Sequence, residues 1–136
     1  MWQKVIWIAA AGALGTLARY GLAGFAHRAC ERLLTVLVGP TAANAFPWGT
    51  LTVNTLGCFL FGIGWSIMER GVKIDSHVQL AVFTGFLGAL TTFSSYSFEN
   101  RQMIRYAQWP LLTANIVAHN GLGLVAVMLG LMLGRS

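Results

Sequence analysis

Four apolar stretches, each near twenty residues long and almost free of charge, dominate the sequence. They run from about Val5 to Phe25, Pro47 to Met68, Val78 to Phe98 and Leu111 to Leu133. About 20 residues of helix cross roughly 30 Å of hydrocarbon, so each stretch is long enough to span a bilayer. The first carries one charge, Arg19 near its far end, and the others carry none. The expectation is an all-α integral membrane protein with four transmembrane helices, multi-pass in a cell (inner) membrane, forming a single domain over residues 1–136.

Composition points the same way. Hydrophobic residues make up 56% of the chain and charged residues 10%, whereas soluble domains carry about 25% charged residues. A soluble chain this short would leave too much of that apolar surface wet. The net charge of +5 does not imply nucleic acid, because the basic residues are scattered and form no stripe with aromatics. They suit anionic headgroups at span ends instead. Cys30 and Cys58 lack the spacing of a disulfide framework or metal site. The first apolar run is too long for a signal peptide, and the Ala43-Asn44-Ala45 site lies too far along the chain. It is expected to be a retained span.

Charge placement bears on orientation. With four spans, the termini and the second connection share one side, with Lys4, Arg70, Lys73 and Arg135. The other side has Arg28, Arg32, Arg101 and Arg105, and Arg19 if it counts as flanking. Orientation follows an excess of Lys and Arg on the cytoplasmic side, and here almost none exists. Both orientations are then expected to insert, and a chain can pair with an inverted copy of itself. Glycine pairs at helical spacing, such as Gly57 and Gly62 or Gly130 and Gly134, indicate a tight bundle.

Polar groups inside hydrocarbon are expensive and mark candidate sites. Thr50 and Asn54 share a face of the second span. The third span is the richest, running from Thr84 and Gly85 through Gly88, Thr91, Thr92, Phe93, Ser94, Ser95 and Tyr96 to Glu99. Gly85 and Gly88 weaken the helix and β-branched Thr91 and Thr92 do little to rescue it, so a mid-span break is expected within residues 85–92, ahead of Phe93. Backbone carbonyls freed at such a break can hold a cation. Asn115 and His119 share a face of the fourth span. No carboxylate lies deep in a span, which disfavours a proton-coupled pump.

Two motifs carry a family resemblance: Gly49-Thr50-Leu51-x-Val53-Asn54, and Thr84-Gly85-Phe86-x-Gly88-x-x-Thr91-Thr92-Phe93-Ser94. With Gly15-x-x-x-Arg19 in the first span, the chain resembles the fluoride channel family (Fluc, or CrcB) along its whole length. The resemblance implies a passive, non-enzymatic channel that exports fluoride and reduces its toxicity. It also implies an inverted two-fold homodimer with two pores and a central structural sodium ion. By that resemblance the sodium is held by the backbone carbonyls of Gly88 and Thr91. Asn54, Phe93 and Tyr96 line the pore, together with Thr50, Ser94 and Ser95, while Arg19 and Glu99 sit at a pore mouth or in support. Tyr96 stands where most members have phenylalanine, Gly123 where many have serine, and the first connection is longer than usual.

The chemistry suits the ion. Fluoride is small and strongly hydrated, so a narrow path must replace its water with donors. The Asn54 amide and the hydroxyls of Thr50, Ser94 and Ser95 supply them, and aromatic ring edges are positive. A small multidrug-type transporter shares the span count but carries a carboxylate in its first span, which is absent here. A packing subunit would explain the glycines but not Phe93 and Tyr96. Pairing with an oppositely oriented paralogue is disfavoured by the even charge.

Overall fold

A computed structural model describes residues 2–38 and 46–135. Among them, four helical segments are long and apolar enough to cross a membrane. Helix α1 covers Trp2–Val38 and α2 covers Trp48–Glu69. The third segment opens with α3 (Ser76–Gln79), widens to π-helical winding over Leu80–Leu87, and returns to α geometry in α4 (Gly88–Leu90). Helix α5 follows over Phe93–Arg105, and α6 covers Trp109–Arg135. Among the described residues the regular structure is all helical, and the protein is a multi-pass membrane protein.

The first span is longer than its apolar run predicts. Its hydrophobic signal fades at Phe25, yet α1 continues through His27, Arg28, Glu31 and Arg32. Ala, Arg, Glu and Leu are strong helix formers, and His27 pairs with Glu31 one turn later at 3.1 Å. At about 1.5 Å per residue, its 37 residues reach about 55 Å. The stretch that follows the apolar run, from His27 on, is therefore helical as far as Val38. In the sequence the Gly39-Pro40 pair reads as the stop for any helix in this connection; it lies outside the described residues.

Two points of local structure are more specific than the sequence reading. Helical winding persists across Gly85 and Gly88. The extended backbone comes later, at Thr91 (φ −84°, ψ 156°) and Thr92 (φ −146°, ψ 110°). Gly85 instead admits α1: an added Cβ would fall 2.9 Å from the Ile8 carbonyl oxygen and the Ala11 Cβ. Glu99, Arg101 and Arg105, beyond the apolar run that ends at Phe98, lie on α5. That helix closes with Gln108 N–H on the Met103 carbonyl at 2.8 Å. Ala107 takes the left-handed angle (φ 52°) that this closing turn demands, and Pro110 sits in the first turn of α6, where its missing donor costs nothing.

Glycine sets the closest helix approach. At Gly130 on α6 an added Cβ would meet Ile63 N at 2.9 Å and Gly62 Cα at 3.1 Å on α2. Lipid offers no hydrophobic drive between helices, so close van der Waals packing must hold them. Fully buried side chains are few; they include Val53, Leu90, Ser66 and Asn115. Large apolar side chains instead line the outside, among them Leu14, Leu17, Val117, Leu124 and Met132. The surface totals 8708 Å², against about 6,900 Å² for a compact soluble chain of this mass.

Candidate functional site

The extended pair Thr91-Thr92 is fastened to α2 by Asn54. Thr92 N–H donates to Asn54 Oδ1 at 2.8 Å, and Asn54 Nδ2 donates to the Thr92 carbonyl at 3.2 Å. One amide side chain thus bonds both backbone groups of Thr92, where burial requires partners. In a continuous helix the Thr92 N–H would serve the Gly88 carbonyl. Its diversion leaves that oxygen without its regular partner.

Thr92 also starts α5. Its Oγ1 accepts from Ser95 N–H at 3.2 Å, which caps the helix. The same hydroxyl donates to Ser95 Oγ at 2.9 Å and lies 3.3 Å from Ser94 Oγ. Three hydroxyls are gathered at one helix start. Thr91 is tied back, its N–H and its hydroxyl both donating to the Leu87 carbonyl at 3.1 Å.

A cavity of about 380 Å³ brings Arg19 and Thr16 on α1, Thr50 on α2, and Thr92 and Ser95 together. Arg19 is the one charged side chain in its wall. Thr50 also borders a neighbouring cavity of about 420 Å³, shared with Glu99, His27 and Gln102. The Thr50 hydroxyl donates to Glu99 Oε1 between the two, and Glu99 Oε2 is buried with no hydrogen-bond partner. Arg19, Thr50, Ser95 and Glu99, assembled from three separate spans, thus form a continuous polar neighbourhood.

The remaining candidates stand elsewhere. Gly88 and Thr91 border a different cavity, about 390 Å³, with Gly57 and Cys58. Phe93 is 78% exposed on the single chain, and Ser94 is also exposed. The Phe93 and Tyr96 rings stand 5.7 Å apart, and Tyr96 packs on His119 at 4.5 Å. Both thiols, Cys30 and Cys58, are free. No cluster of three or more His, Cys, Asp or Glu side chains suited to a metal occurs among the described residues.

Two residues of this neighbourhood were missed in the sequence. Thr92 reads as one more β-branched residue in a hydroxyl-rich run, yet it is the hub of the polar contacts. Asn100 was hidden among the charges after Glu99, yet its Oδ1 accepts from the fully buried Asn115 Nδ2 at 2.8 Å. Only a polar residue opposite another intramembrane amide would have flagged it.

Comparison with known proteins adds a separate line. Residues 6–131 match the family model described as CrcB-like protein, Camphor Resistance (CrcB). The chain is 44% identical over 135 residues to a protein of Nitrosococcus oceani named fluoride-specific ion channel FluC, covering 99% of this chain and 98% of that one. It is 40% identical over 135 residues to a protein of the same name from Desulforapulum autotrophicum, again covering 99% and 98%. A third, from Nitratidesulfovibrio vulgaris strain Miyazaki F, is 39% identical over 133 residues, with 98% of each chain covered.

Proposed function

The chain belongs to the CrcB-like family, and on that footing we propose that it is a passive channel that lets fluoride leave the cell, with no enzymatic step. The observation that carries the reading is the polar cavity where Arg19, Thr50, Thr92 and Ser95 meet. A small, strongly hydrated anion needs a cation to draw it in and donors to replace its water. Arg19 is always charged and supplies the first. Hydroxyls of Thr50, Ser94 and Ser95, and the second N–H of the Asn54 amide, supply the others. Phe93 and Tyr96 follow on the same helix, where positive ring edges favour an anion.

The finer proposal is an inverted homodimer with two such paths. The even Lys and Arg distribution supports it, and so does the exposed Phe93 ring, which a second copy would cover. The extended Thr91 and Thr92 support reading the third span as broken. Gly88 and Thr91 fit a sodium ion as backbone ligands, because the Thr92 N–H that would occupy the Gly88 carbonyl goes to Asn54. When bound there, sodium would supply fixed positive potential in a low-dielectric setting. Asn54 then acts by holding Thr92 in the shape that bares that carbonyl.

The test is fluoride efflux from liposomes holding the purified chain, followed with a fluoride electrode and with chloride as the control ion. Fluoride release well above protein-free vesicles, with chloride retained, is the expected result. Equal release of both ions would defeat the selectivity, and no release would defeat the channel.

A further inference from the structure

Three rings stand in file between α5 and α6. Phe93 and Tyr96 are 5.7 Å apart, and His119 follows 4.5 Å from Tyr96. His119 has no part in the pathway described above. Its Nδ1 lies 3.0 Å from the Asn115 carbonyl one turn earlier. A carbonyl can only accept, so Nδ1 carries the proton. In the neutral ring Nε2 is then a bare lone pair. That atom is buried and has no hydrogen-bond partner among the described residues. The ring is held in place on two sides, by Tyr96 and by Asn115, whose amide is itself bonded across to Asn100 on α5.

A nitrogen so placed reverses its character on protonation. Neutral, it offers electron density and opposes an anion. Protonated, it becomes a charged donor at the end of an aromatic file. On the basis of the fluoride reading, we propose that His119 is a protonatable fluoride-holding residue of the pathway, its Nε2–H donating to the ion beside Tyr96, so that fluoride occupancy and flux rise as pH falls. The ring takes one proton from solution and no covalent bond changes. Fluoride favours the protonated ring, so by reciprocity the ring holds its proton to higher pH when fluoride is present.

Few other groups can set this response. From α5 the Tyr96 phenol faces the ring, and Glu99 one turn on is engaged with Thr50. Helix α2, packed along α6, has the Cys58 thiol as its one titratable side chain before Glu69 at its end. Helix α6 has no other charged residue before Arg135.

Two measurements on the full-length protein decide the matter. In liposomes, with protein-free leak subtracted, wild-type fluoride flux is expected to rise about tenfold between about pH 8 and about pH 6. His119→Gln, which keeps a neutral donor of similar reach, is expected to bring that ratio to about one. The same slope in both proteins overturns the role of His119. Absence of flux from wild type at every pH overturns the channel reading itself. Should the variant fail to fold, ring NMR of wild type in detergent answers alone. Added fluoride, and not chloride, is expected to move the His119 titration upward, and no movement overturns the proposal.

Discussion

At the scale of single residues, Asn54 matters through what it holds. Its carbonyl oxygen and one N–H are engaged by the backbone of Thr92. Asn54→Asp keeps an acceptor for the Thr92 N–H but sets a negative charge against the Thr92 carbonyl and beside the proposed anion path. An uncompensated charge in a dry site costs about 3–5 kcal/mol, so fluoride flux is expected to fall by about a hundredfold or more. Liposome efflux measures this, with elution volume checking that variant and wild type run alike. Flux within about twofold of wild type would remove Asn54 from both roles. In the sequence Asn54 is visible as a costly intramembrane amide, and its nearness to Thr50 follows from helical spacing. Its partner is not legible, because Thr92 lies 38 residues away and a backbone group leaves no mark in a sequence.

Among the elements, α2 and α6 make the clearest test. Gly130 faces backbone: an added Cβ would sit 2.9 Å from Ile63 N, which cannot swing aside. Gly123 on the same helix would place its Cβ 3.6 Å from Cys58 Sγ, an ordinary contact. Gly130→Ala is therefore expected to destabilise by about 1–3 kcal/mol, while Gly123→Ala stays within about 0.5 kcal/mol. Denaturation in detergent checks both, and equal losses would contradict the packing described. The spans themselves were legible because twenty uncharged apolar residues have few other destinations. The overrun of α1 was not, because beyond Phe25 only helix propensity and the His27–Glu31 pair sustain it, and neither appears in hydropathy. Within the window 85–92 the glycines did not mark where the backbone extends, for a related reason. Glycine lowers helix propensity and also permits close helix contact, and at Gly85 the contact with α1 decides.

For the molecule as a whole, orientation is the open variable. Lys4, Arg70, Lys73 and Arg135 stand against Arg28, Arg32, Arg101 and Arg105, and the proposal of dual insertion rests on that even balance. With Cys30 and Cys58 replaced, Val72→Cys, which leaves every charge in place at an exposed site of the same connection, is expected to react with a membrane-impermeant thiol reagent in about half of the molecules in intact cells. Complete labelling or none would rule out dual insertion. This feature is read from charge alone, without any coordinate. The glycine seam between α2 and α6 carries a thermal consequence. A pair joined by atomic contact in oil lacks the water release that makes soluble cores loosen on cooling. Its cohesion should strengthen steadily as temperature drops, with little heat-capacity change when the two helices part.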